Sequence, residues 1–305
     1  MCPICASHDI ATPGARNGYP IGRCKRCYHL YCMRMPTNEV LHELYERYSY
    51  ETNHLGNIPE FVFRSLAKLL QSLAPYRSLN RLLDVGFGAG AILLAAQRDG
   101  WEVHGLEKSR LAVEQAQAHG FANARQGDFL APAYDERSFD VITLAGVVEH
   151  LVDPQPFLHQ AHQLLRPGGV LFLSTPNSRS LSSHALGLEW SVVSPPEHLH
   201  LFSKTSVTLA LRSAGFEDPR IRTEGFNPYE VVSGWRGRKL SSSGEVQGSL
   251  AANGSPRPLS RVESAYALNA LLMRNSVGRG VKELANAALT LVRLGDELKV
   301  WARAD

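Results

Sequence analysis

Beyond residue 32 the chain has no cysteine, although it runs to 305 residues. The bulk of the protein is therefore no disulfide-stapled scaffold and must rely on an ordinary apolar core. No run approaches the roughly 18 to 20 consecutive apolar residues that a membrane helix needs. The start, MCPICASHD, shows neither the basic lead nor the apolar stretch of a secretion signal, so a cytoplasmic location is expected. Neither sign of charge dominates: 32 Lys and Arg face 29 Asp and Glu, a net +3, which is no polyelectrolyte signature. No internal repeat is present. What the chain does have is a 44% hydrophobic share, too high for a disordered polymer. Its length suits one large domain or two modest ones.

The five cysteines are crowded into one end: Cys2, Cys5, Cys24, Cys27 and Cys32. Four form two Cys-x-x-Cys pairs, with 18 residues between Cys5 and Cys24. Two such knuckles can deliver four thiolates to one tetrahedral Zn2+. A segment this short cannot bury enough core to fold alone, and a metal would supply the missing free energy. Four thiolates close the coordination sphere, so the expected zinc is structural, not catalytic. A redox dithiol would normally show one such pair opening a helix after a strand, and a disulfide pair calls for a secreted chain. Cys32 is the spare, expected as a buried thiol. Residues 1–36 also carry Arg16, Arg23, Lys25, Arg26 and Arg34 against Asp9 alone, a knob able to contact an anion.

Residues 37–75 read as a helical lead-in, whose Tyr45, Tyr48 and Tyr50 could either pack within the helices or close as a lid over the core. From residue 81 short apolar strands alternate with helices: strands at 81–86, 102–107, 122–129, 139–145 and 168–176, then 219–224 and 296–304. Such alternation with short connections predicts an α/β fold, a doubly wound and mainly parallel sheet covered on both faces. The expected division is a ribbon at 1–36, a lead-in at 37–75, a core at 76–226, a flexible and helical insertion at 227–292, and the last core strand at 293–305. Residues 230–283 are basic on balance, which could serve an anionic substrate.

LLDVGFGAG sets Gly86, Gly88 and Gly90 between the first core strand and a helix. Glycine there permits a sharp turn and close approach of a ligand to the backbone. The loose pattern is shared with dinucleotide sites. Two acids tilt the reading. Glu107 ends the second strand, where a carboxylate can accept both hydroxyls of an adenosine ribose. Asp84 precedes the loop, where it would repel a pyrophosphate but suits a cationic ligand.

In this order and spacing, Asp84-x-Gly86-x-Gly88-x-Gly90, Glu107, Gly127-Asp128-Phe129, FDVITLAGVVEHL and LLRPGGVLFLSTPN resemble the class I S-adenosylmethionine-dependent methyltransferases. The resemblance implies a Rossmann-like seven-stranded sheet whose last strand is antiparallel. It implies that Gly86, Gly88 and Gly90 line the methionine and ribose of S-adenosyl-L-methionine, that Asp84 faces its amino-acid end, and that Glu107 grips the ribose. Asp128 would accept from the adenine amino group, with Phe129 beside the ring. RCKRCYHLYCMRMPTNEVLHELYERYSYE looks like the lead-in of zinc-ribbon methyltransferases of sugars, glycans or small metabolites. PPEHLHLFS is similar to a segment in that group and in ubiquinone-type O-methyltransferases.

Methyl transfer is an in-line displacement, so the protein supplies alignment, desolvation and, where needed, a base. Glu149 and His150 after the fourth strand, and His198 after the fifth, are the candidate catalytic residues; His200 is expected to pack. Some relatives hold a divalent metal with a Glu-x-x-Glu-His cluster, but Gly146 stands where its first Glu would be. The expected acceptor is a small molecule, sugar or glycan precursor. Three alternatives remain: an RNA methyltransferase using the ribbon as a handle, an NAD-dependent oxidoreductase, and a non-catalytic cofactor-binding subunit.

Overall fold

The computed structural model describes residues 1–41, 43–44, 60–131, 134–226, 230–231, 289–290 and 292–305. Tyr45, Tyr48 and Tyr50, and nearly all of the 227–292 insertion with its basic residues, lie outside the described residues.

In chain order, β1 (Ile10–Arg16), β2 (Tyr19–Cys24) and β3 (Leu30–Cys32) form the amino-terminal meander. Helix α1 (Glu60–Leu73) leads to β4 (Arg81–Val85), α2 (Ala91–Arg98), β5 (Glu102–Glu107), α3 (Arg110–Ala118) and β6 (Ala124–Gln126). The second half runs through β7 (Phe139–Ala145), α4 (Pro154–Leu164), β8 (Leu165–Pro176), α5 (Leu181–Leu186) and β9 (His200–Leu201). It closes with α6 (Lys204–Ser213), β10 (Glu217–Glu224) and β11 (Glu297–Arg303).

The central sheet has the order β10-β11-β8-β7-β4-β5-β6. Strands β4 to β8 pair in parallel, and β11 runs antiparallel to both its neighbours. Parallel strands are buried on both faces, which is why RLLDV and FDVITLA read as nearly continuous apolar runs. One face is covered by α1, α2 and α3 through Leu70, Leu73, Leu93, Ala96 and Val113. The other is covered by α4 and α6 through Leu158, Ala161, Val207 and Leu211. Because β5 and β7 flank β4 on opposite sides, the order reverses there and opens a crevice at the carboxyl ends of the strands. At the opposite edge, buried Asp140 accepts from Leu79 N, Arg81 N and the Arg166 guanidinium. Among the described residues no helix is long and apolar enough to cross a membrane.

Two strands differ from expectation by three residues at one end. The third core strand spans only Ala124–Gln126. The fifth begins at Leu165, before Pro-Gly-Gly, because Leu165 already pairs with Phe139 and the break is absorbed as a register shift, with Gly168 at φ +75°. The third difference is larger. The meander is no separate knob, for β3 pairs with β9 from the core, and the two share one four-stranded sheet. Ile21 and Leu30 pack against Leu186, Trp190, Val193 and Leu201, each burial contributing about 1.5–3 kcal/mol. Ser203 caps α6 by accepting from Ser206 N while its hydroxyl donates to the Cys27 carbonyl. Ser178 donates to the carbonyl of Tyr28.

Candidate active site

The crevice holds a cavity of about 420 Å³ lined by Gly86, Gly88, Glu107, Phe129, Gly146 and His150, with Leu44 of the lead-in at its wall. Gly86 has φ +68°, and a Cβ there would sit 2.8 Å from Val147 Cγ2. Gly88 has φ +49°, and its Cβ would meet nothing within 4 Å, so that backbone faces open space. Gly90, at φ +70°, is the N-cap of α2. Glu107 is pinned by three backbone amides: Lys108 N and Ser109 N donate to Oε1, and Gly88 N donates to Oε2. A carboxylate has about four acceptor positions, so Oε2 keeps one in a cavity wall. Phe129 is buried with its ring 5.5 Å from that of Phe157.

Other expected residues lie just outside this lining. Asp84 is 2% exposed, and Thr143 Oγ1 donates to its Oδ1. Burial raises its carboxyl to about 7, with the Glu107 charge adding and the Thr143 bond opposing. It sits beneath the cavity, and the next residue, Val85, is part of the wall. Asp128 is half-exposed, accepts from Leu130 N at 3.0 Å and lies 3.9 Å from Lys108 Nζ.

A second cavity of about 390 Å³ adjoins the first, with Gly146 lining both. Its walls include Thr175, Trp190, Phe226 and five carboxylates: Glu149, Glu224, Glu230, Asp296 and Glu297. Sequence reasoning missed the last four. They come from opposite ends of β10 and β11 and from beyond, and nothing local distinguishes them from surface acids. Among the described residues no Lys or Arg lines this cavity. Lys299, outside the lining, lies 2.7 Å from Glu224 Oε2 and 3.9 Å from Glu297 Oε2.

Glu149, His150 and His198 do come together, with one donor atom from each within 4.8 Å of the others. Glu149 is 4% exposed, and among the described residues nothing hydrogen-bonds its Oε2. Burial raises its carboxyl to about 8, and the charges of Glu297 and Glu197 add to the shift. His150 Nδ1 lies 2.8 Å from the Glu197 carbonyl, so Nδ1 carries the proton and Nε2 is the basic nitrogen. Burial, then His198, lowers its imidazole to about 4, a weak base. His198 lines neither cavity; its Nδ1 donates to the Val192 carbonyl at 2.7 Å and its ring meets that of His150 edge-on at 4.8 Å. His200 is fully buried.

The four knuckle cysteines also converge, away from the crevice. Cys2 and Cys27 Sγ lie 3.6 Å apart, Cys5 and Cys24 Sγ 3.5 Å apart, and all four fall within 4.8 Å. Four sulfurs about 2.3 Å from a tetrahedral zinc stand roughly 3.8 Å from one another, so the donor set fits the ion. A hydrogen bond from Cys27 lowers the Cys2 thiol to about 5 despite burial. Cys32 stays outside the cluster as a buried thiol, donating to the Arg34 carbonyl.

The family model described as a methyltransferase domain matches residues 58–219. The chain belongs to this methyltransferase family. It is 31% identical over 176 residues to a ubiquinone biosynthesis O-methyltransferase of Xanthomonas oryzae pv. oryzae, covering 54% of this chain and 72% of that one. A ubiquinone biosynthesis O-methyltransferase of Ralstonia nicotianae is 29% identical over 171 residues, covering 52% and 71%. A solved SAM-dependent methyltransferase from Archaeoglobus fulgidus superposes with a TM-score of 0.49 at 17% identity, covering 78% of this chain and 92% of its own. By its family model and its relatives the chain is a methyltransferase, and neither supports the oxidoreductase or RNA-directed readings.

Proposed function

We propose that this methyltransferase transfers the methyl group of S-adenosylmethionine to a hydroxyl oxygen of a small molecule, sugar or glycan precursor. In this reading the donor occupies the first cavity, the acceptor the second, and the two meet across Gly146. The observation that carries it is that Gly146, with no side chain and φ +66°, is part of both walls, while Glu149 Oε1 lies 3.7 Å from where its Cβ would be. The donor supplies an electrophilic methyl carbon on a sulfonium.

Gly88 leaves the backbone open to the donor, Gly86 lets the loop turn tightly against Val147, Glu107 takes the ribose hydroxyls, and Phe129 walls the adenine. Gly90 sets the helix start and Asp128 closes the rim. Asp84, beneath the floor, ionises as the cationic donor approaches, since a nearby positive charge favours the carboxylate. Glu149 in its carboxylate form takes the acceptor hydroxyl proton as oxygen bonds to the methyl carbon. The carbon–sulfur bond breaks with its electron pair left on sulfur, and the sulfonium charge is discharged. His150 and His198 orient the Glu149 carboxyl and exclude water. The ribbon holds one structural Zn2+ on Cys2, Cys5, Cys24 and Cys27 and braces β9.

The test is incubation of metabolite and glycan extracts with methyl-labelled donor, followed by mass spectrometry. Labelled O-methyl products formed by the wild type and not by Glu149→Gln support the reading. Label appearing only in RNA, or no consumption of donor, overturns it.

A further inference from the structure

The basic residues of the ribbon divide into partnered and unpartnered ones. Lys25 Nζ lies 2.9 Å from Asp9, the only acid of residues 1–36, and Arg16 lies 3.0 Å from Glu189. Arg34 donates to the Gly18 carbonyl. Arg23 differs. Its side chain is half-buried, yet among the described residues it makes no hydrogen bond and no ion pair. Arg23 stands directly opposite Leu30 across β2 and β3, so it leaves the sheet on the face that packs against Leu186, Trp190 and Val193. Cys24, the next residue, points the other way, toward Cys2, Cys27 and Ile10. The zinc thiolates are therefore not the partners that Arg23 lacks.

A second cation stands beside it. Arg179, in the turn between β8 and α5, has its guanidinium Cζ 4.1 Å from the centre of the Tyr28 ring. That stacking holds an exposed side chain in place. Tyr28 is in turn fixed to both partners' elements: its N–H donates to the Cys24 carbonyl, and its carbonyl accepts from Ser178 Oγ. Among the described residues Arg179 has no carboxylate within ion-pair distance either. Burial lowers the Arg23 guanidinium from the ordinary arginine range, and the Arg179 charge adds to the shift. Two like charges brought together where water screens them poorly raise the energy of the fold unless an anion joins them.

The donor set selects the anion. Each guanidinium offers a planar fork of N–H donors. One fork can take both oxygens of a carboxylate, whereas a phosphoryl group has a further terminal oxygen and a further charge with which to join two forks.

We propose that Arg23 and Arg179 form a binding site for the phosphoryl group of a small phosphate ester, at the seam between the ribbon and the turn that leads into α5. The site stands apart from the methyl-transfer reading, because neither arginine lines either cavity.

Zinc-loaded full-length protein is titrated by calorimetry with glucose 6-phosphate, with glucose and with an RNA oligonucleotide. The phosphate ester is expected to bind, with glucose weaker by roughly tenfold or more. Arg23→Gln and Arg179→Gln are each expected to lose roughly tenfold or more in affinity for the ester, as the loss of a charge-assisted contact requires. Lys25→Gln, whose lysine is already paired with Asp9, is expected to bind the ester as the wild type does. In thermal melts at low salt, inorganic phosphate is expected to raise the melting temperature of the wild type and not that of Arg179→Gln. That variant changes an exposed side chain, so it keeps the comparison open should Arg23→Gln not fold. Equal affinity for glucose and its phosphate ester, including no measurable binding of either, overturns the proposal. So does ester binding that Arg179→Gln leaves unchanged, or an RNA oligonucleotide that binds more tightly than the ester.

Discussion

The imidazole of His29, on the ribbon, lies with Nε2 3.0 Å from Nδ1 of His200, on the core strand that completes the ribbon's sheet. The other ring nitrogen of His200 faces the Val152 carbonyl at 3.3 Å. A carbonyl only accepts, so that nitrogen carries the His200 proton; the buried ring is neutral, and His29 is the donor between them. The contact ties the segment after Cys27 to the loop after β7 that carries Glu149 and His150. Main-chain bonds reinforce it, since Leu199 N and His200 N both donate to the Glu149 carbonyl and Cys32 N donates to that of Leu199.

Replacing His29 by Leu leaves the His200 acceptor unpaired in a dry interface, at a cost of about 1–3 kcal/mol. Replacing both histidines by Leu removes the orphan as well as the bond. Thermal melts are expected to show the double variant losing less than the sum of the singles. Strictly additive losses would mean that the bond is not made.

The same connection governs the response to metal loss. Cys24→Ser, or a chelator, is expected to take bound zinc from one ion per chain to a small fraction, as measured by atomic absorption. Amide exchange at residues 30–32 and 199–201 should then quicken together, because β3 and β9 are each other's partners. Strands β4 and β7 should keep their protection. Loss of zinc with no change at 199–201 would separate the ribbon from the active-site wall.

Glu107 offers a sharper test of the proposed donor site. Glu107→Gln keeps the size but loses a charge-assisted acceptor, worth about 1.5–3 kcal/mol. Calorimetry should show S-adenosylhomocysteine affinity falling roughly tenfold to one hundredfold. NAD is expected to bind neither form. Gly86→Ala should also fail to bind, for a different reason: its Cβ would collide with Val147 and its φ is left-handed.

Much of the first cavity's lining is legible in the sequence because its determinants are local. The glycine loop and Glu107 each follow a strand, and in a doubly wound sheet every strand end points to one edge. The cysteine knuckles are legible for the same reason, since spacing alone brings four sulfurs together. The second cavity is not. Glu149, Glu224 and Glu297 meet only because β11 inserts between β8 and β10, joining residues far apart in the chain. The β3–β9 pairing likewise rests on two short segments, Leu30–Tyr31 and His200–Leu201, whose apolar pattern alone names no partner. His198 illustrates the limit of loop reading: it reaches the neighbourhood of His150 but is held to the Val192 carbonyl.

The last prediction concerns pH. In the folded chain the Glu149 carboxyl is raised to about 8 by burial, against about 4.3 for an exposed glutamate. Between those values the folded state holds a proton that the unfolded state has released, so this group's contribution to stability falls as pH rises and is gone above about 8. A base must be ionised to act, so kcat/KM should rise through the same interval and level off above it. Catalysis and stability thus respond oppositely to one proton. Glu149→Gln, which cannot ionise, is expected to lose about 10²–10⁴ in rate while melting higher than wild type at pH 8.5. A merely structural glutamate would show neither the rise in kcat/KM nor that opposition. A variant that keeps its rate, or melts lower than wild type at pH 8.5, would remove Glu149 from the chemistry.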